Sequence, residues 1–257
     1  MKYLIVFLVI LAVAIVVWNT REDDDSILTT GTSRTPASIS MTPAKNKIEI
    51  PYKQSTYILY YSFLSNRGLQ IIPNFSDKLS AQTQSEKNNC RIASNGGFYT
   101  TSDTPLGLLK INYTLISGEI TESHLINGFF YLDESGDPHI DRHYPVTAPT
   151  VMQSGPYFSS GSAISTVNDK PARRTVLLET TSGEYIVAAV TAKEATTSGP
   201  LLSDLPVILF SITTPFQVEK ALNLDGGSAS FYRDADGFTL SEFTHVGSLI
   251  CATELIR

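Results

Sequence analysis

Apolar residues in this chain arrive in short runs rich in β-branched and aromatic side chains, cut at frequent intervals by turn signals. Tyr57–Leu64 reads YILYYSFL, Leu69–Pro73 LQIIP, Leu106–Ile111 LGLLKI, Asn127–Asp133 NGFFYLD, Arg174–Thr180 RTVLLET and Glu184–Thr191 EYIVAAVT. Runs of this length and composition suit a pleated, packed surface and are short for helices. Ser-Asn-Arg-Gly, Glu-Ser-Gly-Asp-Pro and Thr-Ser-Gly-Glu separate them, and the turn from Thr180 to Glu184 predicts a hairpin. Two stretches read as helices instead. Ser76 can cap DKLSAQTQSEK, and Ser203 can cap DLPVILFS, where Pro206 is tolerated in the first turn. Many strands with two or three helices predict an α+β fold around a mixed, β-rich sheet in a single globular domain.

The first 47 residues stand outside that pattern. Tyr3–Trp18 carries no charge, and as a helix its 16 residues would reach roughly 24 Å. That is a little short of a ~30 Å hydrocarbon core, and Lys2 and Trp18 at its ends can make up the difference. Residues 1–18 therefore predict a transmembrane anchor. A cleaved signal peptide is the alternative, but its one A-x-A-like triplet, Ala12-Val13-Ala14, lies inside the apolar run. Lys2 marks the cytoplasmic side, which puts the rest of the chain outside the cytoplasm, periplasmic or at the cell surface. Residues 19–47, rich in Ser, Thr and Pro, read as a flexible linker. Residues 48–257 remain as the globular domain.

With 19 Lys+Arg against 25 Asp+Glu the formal charge is -6, and no basic run offsets it, so nucleic acid is excluded as a partner. Cys90 and Cys251 are the only cysteines. They are either bridged in an oxidising compartment or two buried thiols, and in both cases structural.

Three segments break the strand pattern alike: CRIASNGGFY (Cys90–Tyr99), TVMQSGPYF (Thr150–Phe158) and ALNLDGGSASFY (Ala221–Tyr232). Each is an apolar run ending in a polar residue and one or two glycines. Glycine there permits a tight turn or the close approach of a ligand, and successive amides can form an anion-binding nest. One such motif is an ordinary β-turn; three in one domain point to a site. In order along Lys87–Arg233, the set SNGGFY, Pro105-Leu106-Gly107-Leu108, NGFFYLDESGDPHI, QSGP, Arg174-Thr175 and LNLDGGSAS resembles the phosphodiester glycosidase family, the group of the N-acetylglucosamine-1-phosphodiester uncovering enzyme and its bacterial relatives. The chain departs from it at Val176-Leu177-Leu178, where many relatives carry a glycine, and at Asp225-Gly226-Gly227-Ser228, where many have one glycine more.

The resemblance implies hydrolysis of a glycosyl–phosphate C–O bond through an oxocarbenium-like transition state. Such chemistry needs a carboxylate near the anomeric carbon and donors on the phosphate. Asp225, at the end of an apolar run, is the candidate carboxylate, and Arg174 offers a planar, permanently charged phosphate grip. Asn95 either bonds sugar hydroxyls and orients Asp225 or satisfies turn backbone. The amides of Gly96, Gly97, Gly226, Gly227 and Ser228 are candidate phosphate donors, and Gln153, Ser154 and Gly155 are candidate substrate contacts. Arg173, facing the other way from Arg174, reads as a solvated partner of an acid. Asp103 and Glu122 are further carboxylate candidates. His139 and His143 read as surface loop rather than a zinc helix. Asn74 and Asn112 head glycosylation sequons. No resident cofactor is expected, although a divalent cation could join Asp225 to phosphate. Two functions follow: a glycosidase acting on a sugar-phosphate diester in an envelope or exopolysaccharide glycan, or a non-catalytic module that binds glycan or an envelope partner on the same scaffold.

Overall fold

A computed structural model describes residues 44–255. The apolar run Tyr3–Trp18 and most of the linker lie outside the described residues. In chain order the strands are β1 (Lys47–Tyr52), β2 (Ser55–Leu64), β3 (Leu69–Pro73), β4 (Ile92–Asn95), β5 (Leu109–Ile111) and β6 (Thr114–Ser117). Then come β7 (Gly128–Leu132), β8 (Pro138–Asp141), β9 (Thr150–Ser154), β10 (Tyr157–Ser159), β11 (Arg174–Thr180) and β12 (Tyr185–Ala192). The last four are β13 (Val218–Asn223), β14 (Tyr232–Arg233), β15 (Thr239–Leu240) and β16 (Ser248–Ala252). The two α-helices are α1 (Ala81–Lys87) and α2 (Leu205–Phe210).

These strands form three sheets, ordered β1-β2-β12-β11-β13-β10, β15-β14-β4-β16-β3 and β6-β5-β9-β7-β8. Every pairing within them is antiparallel. The expected α+β fold around one mixed sheet is thereby corrected to a β-rich fold of three antiparallel sheets with two short helices. Composition cannot set strand direction: β12 is apolar at nearly every position, and Val176-Leu177-Leu178 at the centre of β11 are apolar in succession, because the first sheet is covered on both faces. Leu177, Val187, Ala189 and Leu222 face a core shared with Phe130, Leu132 and Ile140 of the third sheet. Val176, Leu178, Ile186, Ala188 and Val190 face a second core closed by Leu205, Ile208 and Leu209 of α2. The predicted turn is present between β11 and β12, where Thr180 accepts from Gly183 N–H and Gly183 has a positive φ of 82°.

Both helices are shorter than the sequence suggested. Lys78 sits at φ 48°, in the left-handed region, so a helix cannot run through it from Ser76. α1 starts instead after Ser80, whose Oγ accepts from Thr83 N–H at 3.1 Å. α2 is preceded by Asp204, not Ser203, and its cap makes no side-chain hydrogen bond; packing of its apolar face holds it. The membrane-anchored arrangement gains nothing here: among the described residues no helix is long and apolar enough to cross a membrane.

Cys90 and Cys251 form a disulfide with Cα atoms 5.3 Å apart. It fastens the entry to β4 onto β16, its neighbour in the second sheet, within a small core of Ile72, Ala81, Phe231 and Leu249. Closing so long a loop limits the unfolded ensemble and contributes about 2–5 kcal/mol.

Candidate functional site

The three glycine-punctuated segments meet. β13 delivers Asn223, Leu224 and Asp225 between the end of β4 and the β9–β10 junction. Asp225 N–H donates to Gly96 C=O at 3.2 Å, and Leu224 N–H donates to Thr175 C=O at 2.9 Å. Gly155 N–H donates to Asn223 C=O at 3.0 Å, and Asn223 N–H to Pro156 C=O at 3.0 Å. Gly227 N–H reaches Arg173 C=O at 2.8 Å. Two glycines are required by this knot. A Cβ on Gly155 would lie 2.5 Å from Leu125 C=O and 2.8 Å from Asn127 N, so the 125–127 loop could not close over it. Gly227 has open space around it but a φ of 62°, which lets the chain turn into a short 3-10 helix, Gly227–Ala229.

Beside the knot opens a cleft of about 560 Å³, whose lining includes Asp225, Arg174, Asp169, Lys170, Gly155, Gly226 and Gly227, with Phe98, Leu106, Leu125 and Ile126 as apolar wall. Burial pushes the Asp225 carboxyl up to about 6, and one hydrogen bond from Gly226 N–H to its Oδ1, at 2.8 Å, opposes that only in part. Arg174 is fixed at three points: Nε donates to Pro200 C=O at 3.1 Å, and Nη2 to Lys170 C=O at 2.9 Å and Asp169 Oδ1 at 3.5 Å. Its Nη1 has no hydrogen-bond partner among the described residues. Burial lowers its pKa, with the Asp169 charge working the other way, and a guanidinium remains a cation throughout the working pH range.

Asp169 was not singled out in the sequence. Burial alone would raise its pKa, but Ser203 N–H at 2.9 Å, Leu202 N–H at 3.0 Å and the Arg174 charge outweigh that and hold it below the usual carboxylate range. The signal was the polar turn Val167-Asn168-Asp169-Lys170-Pro171 just before the arginine pair, with Asn168 at φ 61°. Asn223, inside the apolar run Ala221–Leu224, carries no polar signal of its own in the sequence. Both of its Nδ2 hydrogens go to carbonyls, of Gly155 and Leu224 at 2.9 Å each, and its buried Oδ1 has no partner.

Other candidates stand elsewhere than expected. Asn95 is 1% exposed: Nδ2 donates to Asp225 C=O at 2.7 Å and Gly96 C=O at 3.1 Å, while Oδ1 accepts from Phe231 N–H at 2.9 Å. Of its two readings, satisfying turn backbone is the one its contacts describe, since no donor is left for a sugar. Gln153 is buried and saturated, accepting from Leu108 and Thr121 N–H and donating to Thr121 and Ile126 C=O, so it braces the 118–127 loop. Ser154 Oγ donates to Asn223 C=O at 2.8 Å.

Most of the supposed phosphate donors are also occupied. Gly96 N–H is on Ser248 C=O, Gly97 N–H on the Met152 sulfur, Gly226 N–H on Asp225 and Gly227 N–H on Arg173. Of the five amides, that of Ser228 alone has no partner among the described residues. Arg173, expected in solvent, is 2% exposed. It donates to the carbonyls of Thr196, Ser230 and Ser241 at 2.8–3.0 Å and lies over the Phe243 ring.

Asp103 pairs with Lys78 and with His245 Nε2 at 2.8 Å, and is outside the lining of the cleft. Glu122 is exposed and outside the lining. His139 lies on a strand, 3.1 Å from Asp133 and stacked on Tyr131. Asn74 is 1% exposed with its Nδ2 on Leu79 and Val246 C=O, which leaves no room for a glycan, whereas Asn112 is exposed.

No family model matches this sequence, and no curated protein matches it. Solved structures do. The catalytic domain of zebrafish N-acetylglucosamine-1-phosphodiester alpha-N-acetylglucosaminidase, described as auto-inhibited by its pro-peptide, superposes with a TM-score of 0.61 at 14% identity, over 84% of this chain and 85% of that one. A hypothetical protein from Synechocystis gives 0.62 at 13% identity, over 80% of this chain and 61% of that one. A putative exported protein from Burkholderia pseudomallei K96243 gives 0.54 at 10% identity, over 78% and 74%. At these identities the likeness is one of fold. This chain is thus similar in fold to a phosphodiester glycosidase catalytic domain.

Proposed function

We propose that the protein is an extracytoplasmic hydrolase that cleaves the glycosyl–phosphate C–O bond of a sugar-1-phosphate diester in an envelope or exopolysaccharide glycan. The pairing in one cleft of the Asp225 carboxylate with a guanidinium held at three points carries this reading. Asp225, raised to about 6, is about nine-tenths ionised at pH 7. Asp169 is held below the usual range by two amides and Arg174. Glycosidases that expel an alkoxide need one carboxyl to deliver a proton. A cleft that sets Arg174 beside its carboxylates suits a leaving group that departs as a stable anion, as a phosphate monoester does.

In this scheme the Asp225 carboxylate faces the positive charge that grows at the anomeric carbon, as nucleophile, electrostatic stabiliser or base for water. Arg174, oriented by Pro200, Lys170 and Asp169, offers Nη1 to the phosphate. Water supplies the new C–O bond, and the electron pair of the broken bond leaves on the phosphate oxygen. The products are a reducing sugar and a phosphomonoester. No resident cofactor is invoked, so turnover is expected to survive EDTA; its loss would bring a divalent cation into the site. The disulfide supports an oxidising compartment, and the likeness to the zebrafish domain supports the reaction class.

The test is hydrolysis of alkyl diesters of glucose-1-phosphate and N-acetylglucosamine-1-phosphate in ¹⁸O-water. Label in the sugar is the expected result. Label in the phosphate means P–O cleavage and sinks the assignment. A second reading, glycan binding without turnover, is favoured by one observation: four of the five candidate amides are consumed within the protein. Tight binding of both diesters without release of sugar is its signature.

A further inference from the structure

A second cavity, of about 580 Å³, opens where the β2–β3, β7–β8 and β11–β12 turns come together. It lies at the far end of β11 from Arg174, about 20 Å away for a strand of this length. Its lining combines an aromatic ring with polar groups of both signs: Tyr185, His139, Arg67, Asp137, Glu184 and Glu254. Several are fixed in pairs before any ligand arrives. Asn66 Nδ2 donates to Asp137 Oδ1 at 2.6 Å, Ser182 Oγ to Glu184 Oε2 at 2.8 Å, and His139 pairs with Asp133 at 3.1 Å while its ring stacks on Tyr131 at 4.8 Å between centroids. Arg67 and Glu254 have no side-chain partner among the described residues, and both are exposed.

We infer that this cavity binds neutral sugar units of a glycan, remote from the reacting bond; the inference rests on the glycan chemistry proposed above. Three carboxylates against one guanidinium repel a phosphate or another anion. Among the described residues, no three His, Cys, Asp or Glu side chains are grouped to hold a metal ion, so the acids do not form a cation cage. An aromatic ring set among fixed donors and acceptors favours a ligand rich in hydroxyls that both donate and accept, and flat enough on one face to lie against a tyrosine; an organic cation is the competing ligand that the titration separates. Carboxylate pairs accept from hydroxyls, Arg67 and Asn66 donate to them, and the Tyr185 ring covers C–H bonds of a sugar face. Pre-paired side chains lose little rotamer freedom on binding. Such a site raises the local concentration of polymer at the Asp225 cleft without touching the chemistry.

The experiment is calorimetric and NMR titration of the full chain with maltotetraose, mannotetraose and chitotetraose, and with tetralysine as a cationic control. At least one sugar is expected to bind with a Kd of about 1 mM or tighter. Arg67→Ala and Glu184→Gln, both at exposed positions, should each weaken it about fivefold or more, a loss near 1 kcal/mol. Asp225→Asn should leave that affinity unchanged. Absence of binding by all three sugars overturns the inference. So does binding that is lost in Asp225→Asn but kept in Arg67→Ala, because the sugar is then in the other cleft. Preference for tetralysine over every sugar, abolished by Glu184→Gln, overturns it in favour of a basic peptide. None of these readings requires turnover, so an inactive protein would end the hydrolase proposal and leave this one standing or falling on its own data.

Discussion

The two cavities at the ends of β11 have almost the same volume, about 560 Å³ beside Arg174 and about 580 Å³ beside the 180–185 turn, yet they hold their charges differently. At the Arg174 end a carboxylate is half-buried with one amide for company, and a guanidinium is pinned by three oxygens. At the turn end the acids and Arg67 are largely in water, where the solvent does most of the work of stabilising them. The larger cavity is therefore not the one that holds desolvated charges. A desolvated charge stores free energy that a transition state can use, whereas an exposed charge gives recognition and little else.

The sharpest way to break that contrast is at Asp225. Asp225→Asn should lower turnover of a sugar-1-phosphate diester by about 10³-fold or more, and Arg174→Ala by about 10²–10³-fold, in steady-state assays. Near-normal rates in both variants would mean that the buried charges are structural and that the two ends differ in burial alone.

A smaller effect sharpens the cost of the buried carboxylate. Its pKa is 3.8 unfolded and about 6 folded. Below about pH 3.8 both states are protonated and the residue is neutral towards stability. Between there and about 6 the unfolded chain ionises first, so stability falls as pH rises and the loss is complete above about 6. Asp225→Asn should therefore raise stability by about 1–3 kcal/mol near pH 7.5 and change little near pH 3.5, as read from urea midpoints. The same ionisation should give activity an acidic limb with an apparent pKa of about 6. A variant less stable than wild type at pH 7.5 would show that the carboxylate is better solvated than its burial implies.

The smallest expected effect is at the other end. Arg67→Ala should leave turnover of a small, soluble diester within about twofold, since an exposed side chain ~20 Å from the cleft neither touches nor positions the reacting atoms. A larger loss would couple the two ends and remove the distinction between recognition and chemistry.

Much of the fold was legible because it rests on local pattern. The runs at Tyr57–Leu64, Arg174–Thr180 and Glu184–Thr191 became β2, β11 and β12, and the Thr180–Glu184 turn was readable from its own residues. Strand direction was not legible. A strand apolar on both faces looks the same whether its neighbours run with it or against it, and the closure by α2 on one side and the third sheet on the other is a long-range fact. The helix from Ser76 failed for a local reason that composition hides, the left-handed backbone at Lys78. At the site, the sequence selected the segments that meet but not the allegiance of their polar atoms. Gln153 and the Gly96–Gly97 amides read as facing a ligand, and Asn95 as facing either a ligand or turn backbone; all of them face neighbouring segments of the protein, because a junction of three turns exposes many backbone groups that must be satisfied first.

What the sequence determined by itself was therefore the inventory and its punctuation: short apolar strands, glycine at the turns where Gly155 and Gly227 alone fit, and an aspartate and an arginine beside them. Tertiary structure decided which donors were spent on holding the turns together, that Asp169 would steady Arg174, and that Asp225 would be left with a single amide. The physical reason is that burial and hydrogen-bond partnership belong to a residue's surroundings, which are assembled from segments more than a hundred residues apart, such as Asn95 and Asp225.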